Sequence, residues 1–129
     1  MVSSEEIRII LPPVPRVLQP NASAGTMGMR FKKAAATKKR RKITMQAVEE
    51  QECETLPWGK CHVHAIFYYK TKRNRDVDNA IGSLKATYDG LVDAGIVPDD
   101  TPEFMVRDMP DLFTDKEYPR VELVITRLA

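Results

Sequence analysis

Cysteine is nearly missing from this chain of 129 residues, which holds only Cys53 and Cys61. Two plainly spaced thiols make neither a disulfide framework nor a zinc site, so both read as reduced cysteines. Long apolar runs are absent as well. No stretch reaches the roughly 18 apolar residues of a membrane span. The opening Met1-Val2-Ser3-Ser4-Glu5-Glu6 is acidic rather than basic-then-apolar, which argues against a signal peptide and predicts a cytoplasmic protein. Proline and glycine, at nine and six, and charged residues, at 29%, stay within the ordinary range of soluble chains, so wholesale disorder is excluded too. The length suits one domain, 1–129, burying roughly two-thirds of its unfolded surface around a single core.

Acid is also absent where base is densest. Residues 30–42 contain Arg30, Lys32, Lys33, Lys38, Lys39, Arg40, Arg41 and Lys42 and no carboxylate. That segment carries +8 against a whole-chain net of +2, so the remainder stands at −6. Such an asymmetry draws a polyanion to one face, and nucleic acid is the natural candidate. A solvated face or a localisation-type basic cluster competes, but the density favours phosphate binding. If six or more of these cations contact DNA, affinity falls ~10³-fold or more between low and moderate salt.

Ile7, Ile9 and Leu11 alternate within residues 5–11 and predict a first strand, ended by Pro12, Pro13 and Pro15. Beyond a turn-rich stretch from Pro20 to Gly28, residues 29 to about 51 lack proline and glycine and are rich in helix formers. They predict a long first helix. Glu49, Glu50, Glu52 and Glu54 oppose the macrodipole at its end, so it should stop or bend before them. Lys60 to Lys70, rich in Val, Ile, Phe and Tyr, suits a central strand. Ile81, Leu84, Tyr88, Leu91 and Val92 predict a second helix from about Asn79 to Ala94, closed by Gly95, Ile96 and Pro98. Phe104–Arg107 reads as a short strand and Arg120–Thr126 as the last. This order predicts an α/β or α+β domain, a small mixed β-sheet with two main helices packed on it.

Between the central strand and the second helix lies Arg73-Asn74-Arg75-Asp76-Val77-Asp78-Asn79. In extended backbone Asp76 and Asp78 share one face while Val77 turns toward the core. Adjacent anions raise each other's pKa unless a cation or water screens them. Magnesium is the usual cation: it takes oxygen ligands, needs one or two protein carboxylates and keeps positions for water and substrate phosphate. The plainer reading makes Asp78 a helix N-cap and Asp76 a solvated loop residue, and for this pair alone it is the better one. A second pair, Asp99 and Asp100, shifts the balance, although alone it also reads as a turn. Lys85 falls about 20° short of two full turns after Asp78 and leans back toward it. It either stabilises charge in a phosphoryl-transfer transition state or pairs with Asp89 one turn on. Lys72, Arg73 and Arg75 either hold a nucleic-acid strand beside the acids or form a solvated loop.

Arg75-Asp76-Val77-Asp78-Asn79, Lys85-Ala86-Thr87-Tyr88-Asp89-Gly90-Leu91 and Ala94-Gly95-Ile96-Val97-Pro98-Asp99-Asp100 together resemble the RusA family of Holliday junction resolvases. Leu11-Pro12-Pro13, Gln19-Pro20-Asn21 and the closing strand are similar to the family's ends, so the resemblance runs along essentially the whole chain. A phage or prophage source fits the resemblance alone. It implies a RusA-like fold and a homodimeric crossover junction endonuclease acting in DNA recombination and repair. The cofactor it implies is magnesium, with manganese able to substitute, held by Asp76, Asp78 and Asp100, with Asp99 the ambiguous neighbour. Lys85 matches the family's catalytic lysine. A twofold dimer would supply the two related cuts that symmetric resolution needs. The chain departs from the pattern in Ala80-Ile81-Gly82-Ser83-Leu84, about one extra helical turn, which starts Lys85 farther from the acids unless Gly82 permits a bend.

His62 and His64 share one face of the central strand with Ile66 and Tyr68. They read as packing or hydrogen-bonding residues ahead of metal ligands. Trp58 and the tyrosines belong to the core or stack on unpaired bases. Two other functions stay open: a less selective flap or branched-DNA nuclease, and a non-catalytic branched-DNA-binding protein.

Overall fold

Alternation fixes the strands. The computed structural model describes residues 5–20 and 25–129; Met1–Ser4 and Asn21–Ala24 lie outside it, and with them Asn21 of the opening motif. β1 (Glu6–Leu11) buries Ile7, Ile9 and Leu11 and leaves Glu6, Arg8 and Ile10 exposed. The chain then passes Pro12–Pro15 and a 3₁₀ turn at Arg16–Leu18.

α1 (Met27–Glu49) starts at Thr26, whose hydroxyl caps it by accepting the Met29 amide at 3.2 Å, and stops at the acidic run as expected. Its buried residues are Arg40, Thr44 and Val48, one turn apart on a single face. The first half of the helix stands in solvent, Met27 and Phe31 included.

β2 (Cys61–Tyr69) buries Cys61, Val63, Ala65 and Phe67 toward the helices. The single second helix expected over Asn79–Ala94 is two helices, α2 (Val77–Gly82) and α3 (Lys85–Asp93). The break lies against Pro20. A Cβ on Gly82 would lie 2.4 Å from Pro20 Cγ, so the chain passes the proline only as glycine. The Ser83 amide is shared between the Asn79 and Ala80 carbonyls at 3.0 and 3.2 Å, and Leu84 donates to Ile81 at 3.2 Å. These shorter-range bonds tighten the turn and end α2. α3 ends as its sequence predicts: Gly95 has φ +83°, its amide bonds Val92 at 2.9 Å, and Ile96 reaches back to Leu91 at 3.3 Å, a Schellman motif.

β3 (Met105–Arg107) and β4 (Asp111–Thr114) both pair in parallel with β2, β3 along its start and β4 along its end. They form one sheet edge interrupted at residues 108–110. β4 is an addition to the expected order; four residues with one half-buried position show no alternation that a sequence reading can detect. β5 (Arg120–Arg127) is antiparallel to both β1 and β2, giving the order β1-β5-β2 with β3 and β4 beyond. The molecule is an α+β fold, a mixed five-stranded sheet with its helices against one face. The core on that face joins Ile9, Val63, Leu123 and Ile125 from the sheet to Val48, Leu84, Leu91 and Ile96, with Trp58 closing one end. Among the described residues no helix is long and apolar enough to cross a membrane.

Candidate functional site

Asp76 sits where β2 has ended and α2 begins. It is extended (φ −85°, ψ 110°), and its Oδ1 accepts the Asp78 and Asn79 amides at 2.9 and 3.3 Å. Asp76, not Asp78, is therefore the N-cap. Asp78 lies in the first helical turn, so the extended alternation expected for 76–78 does not occur, and Val77 is only half-buried. The two carboxylates are still neighbours at one helix start, both exposed.

Lys85 opens α3 with its amine bonded to Asp100 Oδ2 at 2.6 Å and to Asp89 Oδ1 at 3.0 Å. The pairing with Asp89 is the plainer reading of this lysine; the bond to Asp100 adds a residue of the acidic set. The Asp100 bond chiefly, and then Asp89, hold the Lys85 amine above the usual lysine range. Lys85 in turn lowers the Asp100 carboxyl. Asp99 is exposed on the loop, its Oδ1 accepting the Asp100 amide at 2.8 Å. Among the described residues no three His, Cys, Asp or Glu side chains converge closely enough to hold a metal ion. The set Asp76, Asp78 and Asp100 thus stands as a pair plus one, the third carboxylate being held by an ammonium group.

The cations divide sharply. Arg40 was expected on the phosphate-binding face and is instead 1% exposed. Its Nε donates to Thr87 Oγ1 at 3.1 Å and its Nη1 to the Pro12 carbonyl at 2.7 Å, tying α1 to α3 and to the end of β1; Nη2 is buried with no partner. Burial lowers its pKa to about 10. Arg40 is a packing residue, because its place one turn before Thr44 puts it on the buried stripe. Arg41 makes a two-point pair with Asp93, both bonds 2.8 Å. Arg30, Lys32, Lys33, Lys38, Lys39 and Lys42 are exposed and compose the basic face that remains.

A second basic group lies beside Asp76. Arg73 and Arg75 line a cavity with Arg16, Gln19, Asn74 and Asn79. The Arg75 guanidinium stacks 3.9 Å from the Tyr69 ring centre and donates to the Thr71 carbonyl at 2.9 Å, while its Nε is buried without a partner. Lys72 is exposed on the same loop. Arg16, set among prolines, gave no signal in the sequence.

No family model and no curated protein matches this chain. What the site can do rests on its own chemistry. Asp76 and Asp78 offer the hard oxygen donors that magnesium takes while keeping most of its waters, so the pair fits one such ion. The three-carboxylate set does not fit as it stands.

His64 makes hydrogen bonds, as expected, and His62 lies within ion-pair distance of one of the same carboxylates. His64 Nδ1 lies 2.6 Å from Asp108 Oδ1 and its Nε2 2.9 Å from Asp111 Oδ2, and His62 Nε2 is 3.2 Å from Asp108 Oδ2. Both imidazole nitrogens of His64 are occupied, which makes it a strap across the break between β3 and β4. Trp58 is fully buried, with its indole N–H on Thr55 Oγ1 at 2.9 Å, and does not face a ligand.

Proposed function

We propose that this protein is a divalent-metal-dependent endonuclease for branched DNA, a RusA-like Holliday junction resolvase active as a homodimer. The observation that carries the reading is the exposed carboxylate of Asp76 lining a cavity with Arg16, Arg73 and Arg75, with exposed Asp78 beside it in the first turn of α2. A phosphodiester held by the guanidiniums presents its phosphorus beside oxygen donors. Magnesium, when bound, supplies activation of water. Asp76 and Asp78 would hold it, and Lys85, drawn to Asp100, would neutralise charge on that side. Cleavage of a labelled four-way junction tests this, with and without magnesium, for wild type and Asp78→Asn. Symmetric, metal-dependent nicks lost in a variant that still binds the junction are the expected result. A flap or linear duplex cut as readily as the junction would instead indicate a less selective nuclease.

A second reading has its own support. Because Asp100 is held by Lys85 rather than gathered with Asp76 and Asp78, a branched-DNA-binding protein without cutting activity fits the same surface. Tight junction binding with no nicks under magnesium or manganese would establish it.

A further inference from the structure

The sheet face opposite the helices is open, and it carries a group of rings that the carboxylate chemistry does not use. Tyr68 on β2 and Phe113 on β4 are register partners, so both side chains stand on that face, with ring centres 5.7 Å apart. Phe113 is 52% exposed, and Tyr118, in the loop before β5, is 53% exposed. Arg120 lies between the tyrosines, its guanidinium 3.8 Å from the Tyr68 ring centre and 4.6 Å from that of Tyr118. Asp115 at 2.8 Å and Glu122 at 2.6 Å lock its plane. Aromatic side chains of this size normally go into the core; here two are half in solvent around a fixed planar cation.

We infer that Tyr68, Phe113, Tyr118 and Arg120 form a stacking platform for unpaired nucleobases of a DNA strand. Planar π faces recognise a base by its own flat face, whatever its sequence, and Arg120, held between the two tyrosine rings, fixes their positions. Position argues for this occupant. Tyr68 and Arg120 also line the cavity that contains Arg73, Arg75 and Asp76, so platform and phosphate-binding group share a wall. Lys70, Lys72, Arg73 and Arg75 follow directly from the end of β2 with no acid among residues 70–75, giving the approach the charge a backbone needs. A strand whose phosphate lies on the arginines can therefore lay a neighbouring base on the rings, which a fully paired duplex cannot do. The inference rests on the nucleic-acid reading above but not on cutting.

The test is fluorescence anisotropy in EDTA at low salt, using a labelled oligothymidylate and a strand of equal length and charge whose bases are replaced by abasic sites. Wild type should bind the thymidylate about tenfold or more tighter, the size of one base–aromatic stack. Phe113→Ala with Tyr118→Ala should lose that difference while keeping its affinity for the abasic strand; both residues are exposed, and a thermal melt checks the fold. Equal wild-type affinity for the two strands overturns the platform and leaves the nucleic-acid reading standing. No binding to either strand by a protein that still binds a labelled four-way junction overturns the platform alone, and no binding to strands or junction overturns both. A double variant that keeps its preference for bases overturns the platform, and one that keeps it while its sedimentation coefficient changes shows the face to be a protein interface instead.

Discussion

Arg40 shows how far a single position can move from its apparent role. Its charge counts toward the basic segment, but its side chain holds Thr87 and the Pro12 carbonyl inside the domain. Arg40→Ala leaves those groups without a donor and opens a cavity, so the variant should lose ~2–4 kcal/mol in urea unfolding. Lys39→Ala, one residue away and exposed, should change stability by less than about 0.5 kcal/mol. His64 gives a pH prediction of defined sign. Its bond to Asp108 first, and that to Asp111 next, raise the imidazole above its ordinary 6.5. A folded pKa above the unfolded one stabilises the fold fully below the unfolded value, and that share is lost as pH rises through the folded value. The unfolding midpoint of wild type should therefore fall as pH rises above 6.5, and His64→Gln should flatten that decline. A wild-type midpoint unchanged across this range would show that the strap carries no proton-linked stability.

At the scale of elements, the α1–α3 contact decides a sign. Gly90 lies inside α3, where alanine ordinarily adds up to about 1 kcal/mol of helix stability. Here a Cβ would meet Thr44 Cβ at 2.6 Å and the Arg41 carbonyl oxygen at 2.8 Å. Backbone cannot yield as a flexible side chain does, so Gly90→Ala should destabilise the domain by ~1–3 kcal/mol on a thermal or urea melt. The elements most readable from sequence were those with a strong period or a marked end: β1, β5, and the close of α3 at Gly95 and Pro98. The break at Gly82 was legible only as a glycine inside a helical pattern; the contact that demands glycine there is with Pro20, more than sixty residues away. The same limit explains Asp76 and Asp78. Their proximity follows from sequence, but whether they alternate on a strand or flank a helix start depends on where β2 stops pairing. That Asp100 would meet Lys85 required the whole α2–α3 path.

For the whole molecule, the question is how much of the basic segment faces a polyanion. Sequence counts eight cations on residues 30–42, whereas burial removes Arg40 and Asp93 occupies Arg41. Six others are exposed and outside any ion pair among the described residues, spaced along a helix whose first half is largely in solvent. Counterion release ties the salt dependence of binding to the number of phosphates neutralised, with a slope in log K against log salt of ≈ −0.9 per contact. The helix should therefore contribute a slope no steeper than about −5, against about −7 if all eight acted. Lys38→Gln with Lys39→Gln should make the measured slope shallower by about two and weaken binding of duplex and junction DNA alike, because such contacts position the strand without reading it. Asp93→Asn frees the Arg41 guanidinium on the same face and should steepen the slope by up to about one. Measuring these three slopes against duplex DNA, from low to physiological salt, decides between two uses of the helix. Unchanged slopes in both variants would mean that α1 does not lie on the backbone, and the basic face would then have to serve something other than DNA.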